Sequence, residues 1–415
     1  MQGGPSNVLS FAEARRTVEA YARQARPAEV VLLRLLDGLG LVLAEDAAAD
    51  RDFPPFPRAT RDGYAVRSAD VESLPARLQV IGEVRAGFSL PEAVGPVGVG
   101  QAVEIMTGAP VPKGADAVVM VEFTSRQGDA VEVGRAARAG ENVVPQGSEA
   151  RAGARLVERG TRLRYSQIGL LAAVGLEQVR VYRRPRVALL STGDEVVDIA
   201  AQPGPFQIRN SNSYSLAAQV RQAGAEAAPL PVAPDEPEAL RRLLKQGLGA
   251  DLLLVMGGVS MGKYDLVEQV LGEFQVEFFF TGAQIQPGRP VVFGRARQAE
   301  GARPTYFLGL PGNPISTMVT FELFARPLID GLSGAAPEAL RFLRARLKTE
   351  VRARTGLTRF LPARLCGQLD EVEVAPVPWQ GSGDLAAMAR ADCYLVVPPD
   401  RETISVGELV SVLMR

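Results

Sequence analysis

The stretch that decides the fold reads Asp251-Leu-Leu-Leu-Val-Met-Gly-Gly-Val-Ser-Met-Gly-Lys-Tyr-Asp265. Its first half is a short apolar run, typical of a strand that is buried on both faces of a parallel sheet. Its second half is a glycine-rich turn with a hydroxyl and a carboxylate beyond it. In open α/β sheets, ligands bind beyond the carboxyl ends of the strands, where glycines let the backbone approach an anionic group. Taken alone, the same glycines are equally consistent with a tight turn from a strand into a helix.

Strands and helices alternate on both sides of this stretch. Strands are predicted at 187–190, near 232, and at 252–256, 276–280, 290–293 and 305–310, and helices at 213–223, from 235 and at 315–328. This rhythm predicts a doubly wound, mostly parallel sheet. The chain is therefore expected to be an α/β multidomain protein, because its other parts follow different patterns.

The remaining parts are helical at the start and β-rich elsewhere. Ser10 and Glu13 have the spacing of a capping box and begin a predicted helix that ends near residue 25. Apolar residues at helical spacing predict a second helix over 28–39. Short β runs between 78 and 133 predict a small β-rich domain, and those beyond about 331 predict a C-terminal all-β barrel or sandwich.

Composition excludes several classes of function. The 415 residues carry 46 Lys and Arg against 47 Asp and Glu, so no overall basic field favours nucleic acid. No apolar run reaches the ~18 residues of a membrane span, and the N-terminus lacks a secretory leader, so we expect a cytoplasmic protein without a membrane partner. Histidine is absent, which leaves carboxylates, hydroxyls, amides and cations for any chemistry.

Three predicted strands end in polar turns. These are Ser191-Thr-Gly-Asp-Glu195, the Gly257-Gly-Val-Ser260 turn with Asp265, and Pro311-Gly-Asn-Pro-Ile-Ser316. In a parallel sheet all three turns gather at one edge. Carboxylates beside glycine turns suggest oxygen ligation of a hard cation such as Mg²⁺, next to amides that hold phosphate.

Three further positions have both a structural and a functional interpretation. The chain brings Asp62 into an Asp-Gly turn after three prolines, and it places Thr107 beside Gly108 at a strand end. Each could close a turn or face a ligand. Asp235 stands three residues before Glu238, so it is also expected as a helix cap.

These motifs resemble the molybdopterin molybdenumtransferases of the MoeA type, which include the C-terminal domain of gephyrin. Eight motifs match in order over almost the whole chain: Pro54-Pro-Phe56 to Asp62-Gly-Tyr-Ala65, Ile105-Met-Thr-Gly-Ala-Pro-Val-Pro112, Gly114-Ala-Asp-Ala-Val-Val119, Ser191 to Glu195, Gly257 to Gly262 with Asp265, Pro287-Gly288 with Pro290, Leu310 to Ser316, and Gln380-Gly-Ser-Gly383. One such motif would be weak, whereas eight in order are strong.

The resemblance implies four domains and a homodimer. The predicted domains are the doubly wound molybdopterin-binding domain at 8–28 and 173–332, a connecting domain at 29–50 and 148–172, a β-rich domain at 51–147 and a C-terminal β-barrel at 333–415. The site is expected between the doubly wound domain of one subunit and the β-rich domain of the other.

The implied reaction transfers molybdate into adenylylated molybdopterin and releases AMP. The family pattern makes five positions catalytic: Asp62, Thr107, Glu195, Asp235 and Asp265. Mg²⁺ is expected at four carboxylates: Asp194, Glu195, Asp235 and Asp265. Binding of molybdopterin is expected at the three turns and nearby positions: Ser191, Thr192, Gly193, Gly257, Gly258, Ser260, Arg289, Pro311, Gly312, Asn313, Ser316 and Ser382. Other molybdenum cofactor biosynthesis proteins are possible partners.

The chain departs from the family pattern in its cations. The segment Gln284-Ile-Gln-Pro-Gly-Arg289-Pro keeps Arg289 alone where relatives usually carry lysines, and arginines are missing after Asn142. Fewer cations predict weaker attraction for molybdate. Two alternatives therefore stay open: an enzyme similar to the molybdopterin adenylyltransferases, and a catalytically weakened dimeric scaffold.

Overall fold

The computed structural model describes residues 7–87, 94–258, 266–297, 303–368 and 371–415. The chain forms two compact units. The first comprises residues 1–44, 160–163 and 179–415, and the second comprises residues 45–159 and 164–178. None of the helices within the described ranges has the length and apolar character needed to cross a bilayer.

A six-stranded sheet forms the centre of the first unit. Its strands follow the order Glu226–Pro229, Arg186–Ser191, Leu252–Met256, Thr305–Leu310, Val292–Ala296 and Val276–Phe280. The first four pair in parallel and the last two pair antiparallel. The described helices around it are Phe11–Gln24, Ser211–Gln222, Pro237–Gly247, Leu266–Leu271, Pro314–Thr320 and Arg326–Leu332, the last two joined by the π-helical turn Phe321–Ala325. The predicted doubly wound, mostly parallel sheet is confirmed.

The strand Leu252–Met256 is apolar throughout because both of its faces are covered. Leu252, Leu254 and Met256 pack into one core cluster, whereas Leu253 and Val255 pack into another. Each of the five side chains is at most 2% exposed. Burial of one such side chain contributes about 1.5–3 kcal/mol before the cost of ordering it. This run therefore holds the middle of the sheet between two layers.

The helix predicted over 28–39 is wrong. Val30–Arg34 is a strand, and Leu35–Gly38 is a single 3₁₀ turn. The strand joins Gln178–Tyr182, which in turn pairs with Val42–Leu43. Leu36 and Leu39 are exposed, so their helical spacing does not mark a buried face. Pairing with a strand about 150 residues away overrides the local period.

The strand predicted near residue 232 lies earlier, at Glu226–Pro229. It is an edge strand of the central sheet. Pro229 and Pro231 lack backbone donors, so the ladder cannot continue through them.

A closed five-stranded barrel follows the central sheet, as predicted. Its strands are Thr358–Cys366, Glu373–Pro376, Phe342–Leu347, Leu409–Met414 and Cys393–Val397, and the last pairs back with the first. The helix Leu385–Arg390 is also present, with Asp384 as its cap, so this region is not all-β. Short strands complete the first unit: Val8–Leu9 with Gly282–Ala283, Val196–Val197 with Ile208–Arg209, Val351–Arg352 with Thr403–Ile404, and Ile285–Gln286 beside the barrel.

The second unit is built on another six-stranded sheet. Its order is Thr124–Gln127, Ala130–Val133, Ala76–Val84, Gln101–Ile105, Gly63–Val66 and Ala117–Met120. The β runs predicted between residues 78 and 133 form strands of this sheet. The unit also contains the helix Tyr165–Ala173, the 3₁₀ turns Ser68–Val71 and Val121–Phe123, and the strand pairs Arg58–Ala59 with Val143–Val144 and Ala47–Ala48 with Arg155–Val157.

Candidate active site

The polar turns after three neighbouring parallel strands line one cavity. The strands Arg186–Ser191, Leu252–Met256 and Thr305–Leu310 are adjacent and parallel, so their carboxyl ends share one edge of the sheet. We call the space there, of about 780 Å³, the carboxyl-edge cavity. Ten of the predicted site residues line it: Ser191, Thr192, Gly193, Glu195, Asp235, Gly257, Gly258, Pro311, Gly312 and Asn313.

The first turn holds its acidic residues through backbone geometry. Gly193 has φ of +127°, and a Cβ there would collide with the carboxylate of Glu195. Only glycine therefore lets Glu195 lie against the turn. The backbone N–H of Gly193 donates to Ala233 O over 3.1 Å, and that of Asp235 donates to Asp194 Oδ1 over 3.1 Å. These bonds tie the turn to the segment that carries Asp235.

Asp235 is not a helix cap. The helix Pro237–Gly247 has Glu236 at its N-cap position, without a side-chain hydrogen bond. Burial raises the pKa of Asp235, and the negative charges of Asp194 and Glu195 raise it further, while the Asp194 N–H partly offsets them. Three carboxylates therefore act on one another. Uptake of a proton or a cation therefore stabilises such a group.

A buried hydrogen-bond network lies behind the first turn. The Ser191 hydroxyl donates to Asn210 Oδ1 over 3.0 Å, and Asn210 Nδ2 donates to Ser213 Oγ over 3.0 Å. Asn210 also caps the helix Ser211–Gln222, because its Oδ1 accepts from the Ser213 N–H. The predicted binding residue Ser191 thus already has partners within the protein. Asn210 was missed, although an asparagine directly before a predicted helix is a capping signal.

Two polar atoms of the cavity lining are buried and have no hydrogen-bond partner among the described residues. They are Thr192 Oγ1 and Asn212 Oδ1. The Asn212 amide is oriented, because its Nδ2 donates to Gly312 O over 2.7 Å. Its oxygen is therefore positioned to accept a hydrogen bond from a ligand. Asn212 was also missed, and the signal is the polar run Arg209 to Ser213 ahead of the helix.

The second unit brings Asp62 and Thr107 together. The Thr107 N–H and hydroxyl both donate to Asp62 Oδ1, over 2.6 and 2.7 Å. These two bonds, the hydroxyl first, lower the pKa of Asp62. Gly63 has φ of +156°, and a Cβ there would overlap Val119 O, so glycine is required beside Asp62. Both Asp62 and Thr107 are exposed, and their polar atoms are held in one geometry.

Comparison with known proteins accounts for almost the whole chain. The MoeA N-terminal region (domain I and II) matches residues 9–175, a probable molybdopterin binding domain matches 188–331, and the MoeA C-terminal region (domain IV) matches 344–414. The molybdopterin molybdenumtransferase of Nostoc sp. is 36% identical over 383 residues, which cover 90% of this chain and 86% of that protein. The chain belongs to the molybdopterin molybdenumtransferase family.

A second relative and a solved structure agree. Molybdopterin molybdenumtransferase 1 of Mycobacterium tuberculosis is 34% identical, with 97% of this chain and 98% of that protein covered. The crystal structure of a molybdopterin biosynthesis MoeA protein from Pyrococcus horikoshii covers 98% of this chain and 100% of that chain, with a TM-score of 0.78 and 27% identity. The predicted family, and with it the enzyme class of a transferase in molybdenum cofactor biosynthesis, is confirmed.

Three described residues that were predicted for binding are not part of the cavity lining. Ser316 is buried, and its carbonyl accepts from the Thr320 hydroxyl over 2.8 Å. Ser382 contacts the third turn through its carbonyl, which accepts from the Ile315 N–H over 2.9 Å. Arg289 is exposed, next to the cavity residue Pro290. Ser260 lies outside the described residues. Among the described residues, the one cation in the lining is Arg209, which sequence reasoning missed.

The donor set suits Mg²⁺ in kind, since carboxylate oxygens are its preferred protein ligands. Within the described ranges, however, no three Asp, Glu, Cys or His side chains are grouped closely enough to hold a metal ion. Asp265, the fourth predicted ligand, lies outside the described residues. Mg²⁺ commonly binds one or two carboxylates together with water and substrate phosphates. Glu195 and Asp235, the two carboxylates of the described lining, fit that pattern.

Proposed function

We propose that this molybdopterin molybdenumtransferase inserts molybdate into the dithiolene of adenylylated molybdopterin and hydrolyses the adenylate, releasing AMP. The observation that carries this proposal is the carboxyl-edge cavity, in which glycine turns adjoin the carboxylates of Glu195 and Asp235, and in which burial and neighbouring negative charges raise the pKa of Asp235. An adenylylated substrate presents phosphates, which need close backbone approach and a cation. The cavity allows a phosphate to approach the backbone closely, and its carboxylates favour a bound cation.

The turns allow a phosphate to approach the backbone closely. A Cβ built at Gly312 would lie 3.6 Å from the Cα of Gly257, so the second and third turns adjoin. Both glycines line the cavity, and neither has a side chain to cover its backbone. Asn212 would accept a hydrogen bond from the organic part of the substrate, because its Oδ1 is oriented and without a partner among the described residues. Bound Mg²⁺ would neutralise phosphate charge.

The proposal includes a homodimer in the cytoplasm. In it, Asp62 and Thr107 of one subunit would complete the carboxyl-edge cavity of the other. Support comes from the Asp62–Thr107 pair itself, which is exposed and already fixed by two short hydrogen bonds. A fixed, exposed acceptor is suited to a role in positioning.

The test is the reaction itself. Purified protein is incubated with adenylylated molybdopterin, molybdate and Mg²⁺, and AMP is measured by chromatography. We expect AMP release that depends on molybdate, stops with a chelator and resumes when Mg²⁺ is restored. Failure to release AMP, under conditions in which the Nostoc relative does so, would contradict the proposal and favour a scaffold. Pyrophosphate release from ATP and molybdopterin would instead indicate an adenylyltransferase.

A further inference from the structure

A second cavity lies at the opposite edge of the same three central strands. Arg186 begins the first strand, Asp251 directly precedes the second and Thr305 begins the third, and all three line a space of about 840 Å³. We call it the amino-edge cavity. Because the strands are parallel and rise ~3.3 Å per residue, it lies roughly 15–20 Å from the carboxyl-edge cavity.

The lining of the amino-edge cavity is strongly basic. It contains five arginines and one acidic residue: Arg26, Arg183, Arg186, Arg295, Arg303 and Asp251. The whole chain has a formal net charge of −1, so the basic excess is local. The arginines come from positions between 26 and 303 and meet only in the folded chain. By contrast, the described lining of the carboxyl-edge cavity contains two carboxylates and one arginine.

Two of these arginines have acidic partners. Arg183 contacts Asp251 over 3.4 Å and Glu29 over 3.2 Å. Arg295 contacts Glu277 over 2.7 Å. Asp251 also accepts from the backbone N–H of Arg186, over 2.7 Å. The one acidic residue of the lining is therefore already engaged.

Three arginines remain uncompensated. The side chains of Arg26, Arg186 and Arg303 make no ion pair with any residue that the structure describes, and all three residues are exposed. Their guanidinium groups are available to a ligand.

Helix termini account for only part of this charge. The helices Phe11–Gln24, Pro237–Gly247 and Arg326–Leu332 end at the cavity, where Gln24, Leu248 and Leu332 line it. A helix C-terminus carries about half a negative charge, so three of them offset roughly one and a half of the three free positive charges. About one and a half positive charges are left, which is more than a singly charged anion neutralises. This excess favours a multivalent anion.

We infer that the amino-edge cavity binds a small anion of the polyphosphate class, which includes pyrophosphate and nucleoside triphosphates. Guanidinium groups bind phosphate oxygens through paired hydrogen bonds, and several arginines from different elements can surround one anion. A concave space of about 840 Å³ falls within the range of small-molecule sites, which favours a small ligand over an acidic protein surface. This site is separate from the carboxyl-edge cavity and does not depend on the proposed reaction.

The experiment is calorimetric titration of the full chain with inorganic pyrophosphate and, separately, with ATP. Both titrations are run at fixed ionic strength without Mg²⁺. We expect saturable binding that weakens at least about tenfold in Arg186→Gln and again in the double variant with Arg303→Gln, the scale of one lost charge-assisted contact each. Arg242→Gln is the matched control, because Arg242 is exposed and lies outside both cavity linings. It should leave binding unchanged.

A second control separates the two cavities. Asn212→Asp adds negative charge to the carboxyl-edge cavity and should leave pyrophosphate binding unchanged. Equal affinities for pyrophosphate and ATP would support recognition of phosphate alone, and a higher affinity for ATP would support recognition of the nucleotide as well.

Three outcomes would overturn the inference. One is the absence of saturable binding. Another is binding that is lost in Asn212→Asp and kept in Arg186→Gln, because the anion would then occupy the carboxyl-edge cavity. The third is a lower unfolding temperature of the ligand-free Arg186→Gln and Arg303→Gln variants with unchanged binding, because these arginines would then serve only the helix termini.

Discussion

The carboxylates of the carboxyl-edge cavity and of the Asp62–Thr107 pair have opposite electrostatic surroundings. At the cavity, burial and the charges of Asp194 and Glu195 raise the pKa of Asp235. In the other unit, two hydrogen bonds from Thr107 lower the pKa of Asp62. The first carboxylate has repulsive neighbours and gains from a cation. The second already has its donors.

This difference predicts different functional roles for the two regions. Carboxylates that repel one another act through charge, so neutralising one should change chemistry more than structure. A carboxylate that is fixed by two donors acts through position, so losing a donor should disturb its geometry. Substitutions in both regions test this division.

Neutralising Glu195 should have the largest effect. Glu195→Gln keeps the size of the side chain and removes a charge from the cavity lining. Loss of one oriented charge interaction in the transition state costs about 2–4 kcal/mol, so AMP release should fall roughly 30- to 1000-fold. Glu238→Gln is the control, because Glu238 is an exposed carboxylate on the neighbouring helix, with a side chain 89% exposed. A fall of less than about threefold, under 1 kcal/mol, would exclude a charge role for Glu195.

Asp265→Asn carries the same prediction from the sequence alone. The residue lies outside the described structure, and its place in the glycine-rich motif is the basis. Activity should fall on the scale expected for Glu195→Gln while the fold survives, as measured by AMP release and circular dichroism. Activity within about threefold of wild type would remove Asp265 from the site.

Subunit mixing tests whether the two regions serve one site. Thr107→Val removes the hydroxyl donor to Asp62, and Glu195→Gln changes the cavity. If the site is shared between subunits, each heterodimer of the two variants has one site with both regions intact. Activity should therefore reappear after subunit exchange. Mixtures that stay inactive, although native mass spectrometry shows heterodimers, would place both regions of the site in a single chain.

Arg289 and Arg209 test where molybdate is held. Arg289→Gln should raise the molybdate concentration for half-maximal AMP release by about tenfold, the scale of one charge-assisted contact. Gln286→Lys should lower it, because it adds a cation to the same segment. Arg209→Gln is the comparison, since Arg209 lines the carboxyl-edge cavity. If only Arg209→Gln changes the molybdate dependence, the anion lies at the cavity and Arg289 faces solvent.

The smallest effects concern stability and its dependence on pH. The folded pKa of Asp235 is raised, so its ionisation opposes folding above that pKa. Asp235→Asn should therefore stabilise the first unit at pH 7, by a few tenths of a kcal/mol after solvent screening. The gain should fade as the pH falls toward ~3.9, the pKa of the unfolded chain. Thermal unfolding of the variant and the wild type at pH 7 and pH 4 measures this gain in stability. An equal gain at both pH values would contradict the charge explanation.

Asp62→Asn should have the opposite sign. The folded pKa of Asp62 is lowered, so its ionised form stabilises the fold above ~3.9 and the contribution is lost as the pH falls through the folded pKa. The variant should lower the unfolding temperature of the second unit at pH 7 and have less effect in acid. A stabilising effect at pH 7 would show that the Thr107 bonds do not favour the charged form.

Local patterns in the sequence determined much of the fold and part of the site. The apolar run Leu252–Met256 identified a doubly buried strand, because a strand with both faces covered must be apolar throughout. Glycine turns after three such strands predicted where the polar residues would gather, because parallel strands end at one edge. Eight ordered motifs identified the family. The four-domain boundaries and the roles of individual site residues remain predictions.

Only the tertiary structure decided the features that depend on distant partners. Val30–Arg34 is a strand because residues 178–182 pair with it, which local periodicity cannot show. Asp235 is free of a capping role because the helix begins one residue later than its capping pattern suggests, with Glu236 at the N-cap position. The arginines of the amino-edge cavity are scattered over nearly 280 positions of the sequence. A pattern of a few residues indicates hydrophobic faces and turns. Packing alone decides which distant side chains line the same cavity and set its net charge.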